Sequence, residues 1–196
     1  MKTPILFKAF TCILAFSILG LSTSCKSTSA AKIEKKAQNL SILEDLKLQD
    51  NYRIDIEVIY PFNSVATTQV ANALLANTGN NANRIDVRGD GNFIELKNDS
   101  IKAYLPFFGE SRISGGGYGG RSIAIEIDEP LKDLKKKINT KKGTLELEFK
   151  ATQKEGDNDT YQIKIELFAN QNANVNVTPF YRTFIRYTGK LAEEDK

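Results

Sequence analysis

The sequence predicts a mainly β domain of eight or nine antiparallel strands, curled into a sandwich or a partly open barrel, with two or three short helices. Three observations support this fold class. Apolar residues recur at every second position in six segments, and turn-forming residues fall between these segments. Most of the gaps are too short for the crossovers that parallel strands require, so we expect neighbouring strands to pair antiparallel.

The chain begins with the features of a bacterial export signal. Lys2 and Lys8 supply positive charge, and a short apolar run follows from Ala9 to Gly20. This run is well short of the roughly 20 residues that a membrane-spanning helix needs. We therefore predict a cleaved lipoprotein signal peptide over residues 1–24, and one folded domain in the mature chain.

Cys25 is the predicted site of a lipid anchor. The string Leu21-Ser22-Thr23-Ser24-Cys25 resembles the lipobox of bacterial lipoproteins, in which the cysteine sulfur carries a diacylglycerol. Cys25 is also the only cysteine left after cleavage, so the mature chain cannot form an internal disulfide. The alternative is ordinary cleavage near Ser24 or Ala30, which would release a soluble periplasmic protein.

Residues 25–50 are predicted to hold the lipidated cysteine, a flexible tether and a short helix. The tether, Lys26 to Ala31, is small and polar and lacks acidic residues, so the protein resembles lipoproteins that face the periplasm from the outer membrane. Apolar residues then recur at helical spacing up to about Leu48. They are Ile33, Ala37, Leu40, Leu43 and Leu46. We expect this helix to lie against the domain, and a frayed leader peptide is the alternative.

Residues 51–191 carry the alternating strand pattern, and residues 192–196 form an acidic tail. The first strand runs from Tyr52 to Tyr60 and ends at Pro61. Later strands are predicted around residues 123–127, 145–149, 161–167, 175–177 and 185–187. Turns are predicted at residues 89–91, 98–99, 143 and 155–159, where glycine, asparagine and aspartate concentrate.

Two segments break the alternation and are predicted to be helical. Thr67 to Ala76 is rich in alanine and leucine and is followed by Asn77-Thr78-Gly79, which favours a short surface helix. Pro130 to Ile138 is predicted to form a further helical turn, because proline suits the first helical position and Asp128 or Glu129 would lie beside its positive end.

Two strings in the domain resemble a known family. Tyr104-Leu105-Pro106-Phe107-Phe108-Gly109-Glu110 precedes a glycine-rich stretch and a lysine-laden connection, and Arg182-Thr183-Phe184-Ile185-Arg186-Tyr187-Thr188-Gly189 ends the domain. Together they resemble the envelope lipoproteins grouped as the domain of unknown function DUF4251, over roughly residues 52–191. The resemblance implies an exported, mostly β protein, and it implies no established activity.

The aromatic strip of the first string motivates two hypotheses about function. In the first, the protein is a non-catalytic, lipid-anchored module that binds a small apolar or amphipathic ligand beneath the strip and the glycine-rich loop 115–120. The candidate ligand-binding residues are Tyr104, Phe107, Phe108, Arg112, Tyr118 and Arg121. In the second, it is a structural or interaction lipoprotein that binds another envelope protein through an exposed face or edge of the sheet.

Several chemistries are disfavoured by composition. The chain has no histidine, which is the commonest general base and a frequent zinc ligand, so we expect no enzyme, no metal and no cofactor. Two carboxylate pairs, Glu126 with Asp128 and Glu146 with Glu148, are explained by a charged solvent face. The formal net charge falls from +3 to about +1 without the signal peptide, so nucleic-acid binding is not expected.

One basic cluster remains. It contains Lys132, Lys135, Lys136, Lys137, Lys141 and Lys142. No aromatic residue interleaves with these lysines, which favours a solvated loop over a nucleic-acid surface. Phosphorylated lipid headgroups or an acidic protein are the alternative partners.

Overall fold

A computed structural model describes residues 26–110, 124–154 and 159–192. The elements, in chain order, are α1 (Lys26–Leu48), β1 (Tyr52–Pro61), α2 (Val65–Leu75), β2 (Ile85–Asp86), β3 (Phe93–Lys97), β4 (Ser100–Pro106), β5 (Ala124–Pro130), β6 (Lys132–Asn139), β7 (Thr144–Thr152), β8 (Thr160–Phe168), β9 (Asn172–Pro179) and β10 (Ile185–Leu191). The predicted fold class is confirmed: nine of the strands form a nearly closed antiparallel barrel, and two helices accompany it.

The two terminal strands of the nearly closed sheet are consecutive in the chain. The strand order is β5-β4-β3-β1-β10-β9-β8-β7-β6, with the short β2 beside β1. Only Leu131 separates β5 from β6, so the two ends of the strand order are joined directly by the chain. The seam is joined where Lys154 N donates to Glu126 O at 2.8 Å and Thr152 N donates to Glu129 Oε1 at 2.7 Å. Of the two predicted architectures, the barrel is therefore correct.

The interior of the barrel is filled by its own side chains. Inward positions alternate along each strand and carry mostly isoleucine, leucine and valine. Fully buried examples are Ile54, Ile94, Leu105, Ile125, Ile163, Val175 and Ile185. Each such side chain stabilises the fold by roughly 1.5–3 kcal/mol relative to exposure. Barrels of about eight strands are just wide enough to be packed in this way.

The predicted turns have the backbone geometry that their residues favour. Asn98 and Asp99 both adopt positive φ, 51° and 57°, in the two-residue connection between β3 and β4. This is the conformation of a type I′ hairpin turn, which twists in the same sense as the strands it joins. Gly143, with φ of 69°, ends the connection from β6 to β7.

The predicted helical turn over residues 130–138 is wrong, because this segment forms the end of β5 and the strand β6. Asp133 adopts a φ of +54°, and a register shift falls between Lys132 and Lys135. The irregularity interrupts the period of two, so the alternation is hidden in the sequence. Pairing with β7 and packing of Leu134 against the core favour the strand.

Helix α2 confirms the other helical prediction. Ser64 caps its first turn, since Thr67 N donates to Ser64 Oγ at 3.4 Å. Thr78 N donates to Leu75 O at 2.9 Å just after the last turn, and Gly79 has a φ of +74°. Leu75 packs against the core, but no residue of α2 is fully buried.

Helix α1 begins at Lys26, so residues 26–31, expected to form a tether, fall within it. The chain divides into two compact units between Asn39 and Leu40, and the last turns of α1 belong to the unit that contains the barrel. There Leu43 and Leu46 are buried in the core, as predicted, whereas Ile33 upstream is 71% exposed. No described helix has the length and apolar character required to cross a membrane.

Candidate functional site

The candidate residues divide between the described and the undescribed parts of the chain. Tyr104, Phe107 and Phe108 are described. Arg112, Tyr118 and Arg121 lie outside the described residues, as do Cys25, the glycine-rich loop 115–120 and the signal peptide 1–24.

The aromatic strip at the end of β4 has two kinds of environment. Tyr104 and Phe108 are 45% and 47% exposed. Phe107 packs against the core instead, and the guanidinium carbon of Arg182 lies 4.8 Å from the centre of its ring. Phe107 therefore helps to bury a charged side chain, while its two neighbours remain on the surface.

Arg182 is the centre of a buried polar network at this end of the barrel. Its Nε lies 3.0 Å from Asp159 Oδ2, and its Nη2 donates to the hydroxyl of Tyr161 at 2.6 Å. The other carboxylate oxygen of Asp159 accepts the backbone N–H groups of Phe180 and Tyr181, each at 3.1 Å. A buried charge is tolerated only when it is paired and hydrogen bonded, and this arrangement satisfies that requirement.

Gln153 extends the network to the seam of the barrel. Its Oε1 accepts the hydroxyl of Tyr161 at 2.5 Å and the N–H of Glu126 at 3.3 Å. Its backbone N–H donates to Asp159 O at 2.9 Å. Because Glu126 is in β5 and Tyr161 in β8, Gln153 holds together strands that are not neighbours in the sheet.

The C-terminal string Arg182 to Gly189 points into the barrel at alternate positions. Ile185 and Tyr187 are fully buried, and the Tyr187 hydroxyl donates to Pro106 O at 3.0 Å. Burial raises the pKa of Tyr187 well above its usual range. A Cβ on Gly189 would overlap the carbonyl oxygen of Asp55, so the close approach of β1 requires glycine there.

Glu110 joins three loops at the same end of the barrel. Its Oε1 accepts the N–H of Ser64 at 2.9 Å, and its own N–H donates to Thr183 Oγ1 at 2.9 Å. Thr183 N donates back to Glu110 O at 2.8 Å. Hydrogen bonds from Thr67 and Ser64 lower the pKa of the Glu110 carboxyl, which therefore stays charged at the N-terminus of α2.

Gly109 allows this junction to be compact. A Cβ at this position would overlap both the ring of Phe107 and the hydroxyl of Thr183. The three residues Phe107, Gly109 and Glu110 thus connect the aromatic strip to the buried Arg182 and to α2.

Each of the three joined loops carries an exposed phenylalanine. Phe62 is 67% exposed, Phe108 47% and Phe180 69%. Helix α2, which starts at this junction, adds Val65, Val70 and Leu74, at 77%, 63% and 78% exposure. We call Phe62, Phe108 and Phe180 the aromatic end. Exposed aromatic side chains on loops that are hydrogen bonded to one another are typical of a binding surface.

The last turn of α1 meets the barrel where β1 begins. The hydroxyl of Tyr52 donates to Leu46 O at 2.7 Å and to Gln49 O at 2.8 Å. Lys136 Nζ donates to the same Gln49 carbonyl at 2.5 Å and lies 5.1 Å from the Tyr52 ring centre. Burial, and then the charge of Asp50, raises the pKa of Tyr52 to about 12. These contacts satisfy the carbonyls that a helix leaves free at its end.

A depression of about 430 Å³ lies on the outer face of β7, β8 and β9. Its lining is polar and includes Glu148, Gln162, Lys164, Glu166 and Asn176. Lys164 Nζ lies 2.9 Å from both Glu146 Oε2 and Glu148 Oε1. Its charge is thus already balanced, and the depression is distant in the sheet from the aromatic strip on β4.

Sequence reasoning did not identify Asp159, Gln153 or Glu110 as functionally or structurally important. Asp159 lies in a predicted turn, and nothing local indicates that it pairs with Arg182, 23 residues away. Glu110 stands inside the quoted string, yet its partners Ser64 and Thr183 are distant in sequence. Within the described ranges there is no cluster of three or more potential metal ligands.

Comparison with known proteins identifies a family for most of the chain. Searches of curated proteins and of solved structures gave no significant match. The family model described as "Domain of unknown function (DUF4251)" matches residues 34–191, which include the last turns of α1, the whole barrel and the aromatic end. The chain therefore belongs to the DUF4251 family of domains of unknown function.

Proposed function

We propose that this protein is a non-catalytic, lipid-anchored binding module of the bacterial cell envelope, and that it binds an apolar segment of another envelope protein through the aromatic end. One observation carries the proposal. Three exposed phenylalanines stand on three loops that Glu110 and its partners join by hydrogen bonds. A fixed group of exposed aromatic side chains loses little conformational entropy on binding, so it is suited to anchoring a partner.

A protein partner is favoured over a small apolar ligand. The interior of the barrel is occupied by side chains such as Ile54, Leu105 and Ile163, which are fully buried. Phe107, one of the candidate ligand contacts, is already engaged with Arg182. Ligand pockets usually enclose most of their ligand, whereas protein interfaces use exposed patches with aromatic anchors.

The aromatic end and the last turn of α1 lie at opposite ends of β1. Helix α1 joins the barrel at Tyr52, and the aromatic end begins beyond Pro61, at the other end of β1. A strand of ten residues spans about 30 Å. The chain therefore enters the barrel at Tyr52, and Phe62 follows the far end of β1.

The lack of catalysis is proposed on two grounds. The sequence has no histidine. The buried polar groups of the network, Asp159, Tyr161 and Arg182, are hydrogen bonded to one another. A catalytic site would need polar groups aimed at a substrate, and these groups are directed at each other.

Site-specific photocrosslinking in the native membrane tests the proposal. A photoreactive phenylalanine analogue replaces Phe62, Phe108 or Phe180 in the full-length chain. The matched control carries it at Lys102, an exposed position on the outer face of β4. We expect the three test positions to give an adduct with the same protein, and the control to give none.

Two further measurements make the result decisive. The adduct at Phe62 should weaken when Phe108→Asp and Phe180→Asp are introduced, because both side chains are exposed on the loops that Glu110 joins to the loop of Phe62. Native mass spectrometry distinguishes the alternative, since a small apolar ligand would add a small mass and no polypeptide. Equal adducts from the control position, or crosslinks to lipid alone, would refute the proposed surface. The denatured mass reports separately whether Cys25 is acylated.

A further inference from the structure

We propose that the outer edge of β6 is a second binding site, at which an extended acidic segment of another protein adds a strand to the barrel. The site is independent of the aromatic end. Two separate observations support it, the first about the backbone and the second about charge.

Among the described residues, the backbone of β6 is paired on one side only. β6 is the last strand in the sheet order and pairs with β7. The other terminal strand, β5, is covered by Thr152 and Lys154 at the seam. Across the described ranges, residues 132–139 make no backbone hydrogen bonds outside strand pairing except that Asn139 O accepts Gly143 N within the hairpin. An edge of this kind offers N–H and C=O groups to an added strand.

The exposed side chains of the same edge are an unbalanced group of lysines. Lys132, Lys135 and Lys137 are exposed, and Lys132 lies directly opposite Lys150 of β7. Among the described residues, no carboxylate oxygen lies within 4.0 Å of these four ammonium groups. Like charges directly opposite each other on paired strands are destabilising, so this edge would gain from a negative partner.

The acids opposite these lysines form their close ion pairs with Lys164. Lys135 is opposite Glu148, and Lys137 is opposite Glu146. Both glutamates are already bonded to Lys164, each at 2.9 Å. The positive charge on the outer face of β6 therefore remains without a close partner in the described part of the chain.

These two observations define the chemistry of the occupant. An added strand would lie about 4.8 Å from β6, with every second side chain on the outer face. Acidic residues at alternate positions would then stand beside Lys135 and Lys137. A second copy of β6, or any basic strand, would be repelled, so the lysines also select against self-association.

Peptide binding to the intact protein tests the inference. The probe is a fluorescent peptide that alternates glutamate with threonine. One control peptide has the same sequence with alternate backbone amides N-methylated, which preserves its charge but prevents a strand ladder. We expect the N-methylated peptide to bind at least about tenfold more weakly, and hydrogen exchange of residues 132–139 to slow only with the unmodified probe.

Variants of the protein test the role of the lysines. Lys135→Glu with Lys137→Glu should weaken probe binding about tenfold or more. Lys97→Glu with Lys102→Glu is the matched control, since it makes the same change in net charge at exposed positions of β3 and β4. A thermal melt of each variant verifies folding. The double variant Lys135→Arg with Lys137→Arg retains the positive charge and should bind the probe as tightly as the wild type does.

Three results would overturn the inference. The first is no measurable binding of the unmodified probe, and the second is equal binding of the N-methylated peptide, which would indicate charge attraction alone. The third is binding to vesicles containing phosphatidylglycerol that depends on Lys135 and Lys137 and competes with the probe, because the edge would then be a surface for lipid headgroups.

Discussion

Arg182 and Asp159 form an ion pair, with 3.0 Å between Nε and Oδ2, in which the two side chains are only 4% and 1% exposed. Asp159 also accepts the N–H groups of Phe180 and Tyr181, so the pair connects the start of β8 to the loop between β9 and β10. That loop carries Phe180, one of the three aromatic anchors. A buried electrostatic contact therefore supports the proposed binding surface.

Breaking this pair should strongly destabilise the protein. We expect Asp159→Ala to lower the free energy of unfolding by about 3–5 kcal/mol, because it leaves the Arg182 charge buried and uncompensated. Urea denaturation monitored by circular dichroism measures the change. Asp55→Ala, which removes an exposed ion pair with Arg53, is the matched control and should cost less than about 1 kcal/mol. Similar losses in both variants would contradict the role assigned to Arg182.

Gly189 should not tolerate a side chain. We expect Gly189→Ala to lower the free energy of unfolding by about 1–3 kcal/mol, because its methyl group would overlap Asp55 O in the neighbouring strand β1. Thr188→Ala, one position earlier and half-buried, is the matched control. The same denaturation experiment compares them, and an unchanged midpoint for Gly189→Ala would show that β1 can move aside.

Glu146 should contribute to the acid sensitivity of the barrel. Hydrogen bonds from Lys164 and then Asn139 lower the pKa of its carboxyl. The ionised form is therefore favoured in the folded state, and its stabilising contribution is complete above the unfolded-state value of about 4.3. That contribution disappears as the pH falls through the lowered pKa.

The variant Glu146→Gln tests this dependence. We expect its stability to vary less than that of the wild type as the pH is lowered below about 5. Thermal melts over a pH series measure the difference, and Glu44→Gln on the exposed face of α1 is the control. Parallel pH profiles of Glu146→Gln and the wild type would refute the contribution of this carboxyl.

Tyr52 should hold the last turn of α1 against the barrel. Tyr52→Phe removes two hydrogen bonds to Leu46 O and Gln49 O while preserving the ring, so we expect a loss of about 1 kcal/mol or more. Hydrogen exchange of residues 43–49 should become faster. Tyr104→Phe, at an exposed ring, is the control.

The ionisation of Tyr52 gives a second measurement. Its pKa is raised to about 12, so the folded state retains the proton and the stabilising contribution of Tyr52 is lost only as the pH rises through that range. The ultraviolet difference titration of wild type against Tyr52→Phe should contain one tyrosine that ionises near pH 12. A difference centred near pH 10 would contradict the buried hydroxyl.

Much of the barrel was predictable from local pattern. The alternation from Tyr52 to Tyr60 predicts β1, and the pair Asn98 and Asp99 predicts its turn, because both features depend on neighbouring residues alone. The strand β6 is not predictable in this way, since the bulge near Asp133 and the run Lys135-Lys136-Lys137 hide the alternation. The candidate strip Tyr104 to Phe108 is one continuous string, whereas the packing of Phe107 against Arg182 joins two distant parts of the chain and has no local signal.

The class of fold, the short antiparallel connections and most inward residues follow from the sequence alone, because side-chain periodicity and turn chemistry are local properties. Three-dimensional contacts are what join the seam at Gln153, bring Arg182 to Asp159, and hold the loops of Phe62, Phe108 and Phe180 at one end. These contacts join residues far apart in the chain. They depend on how far the sheet curls, which is set by the combined packing of the whole core.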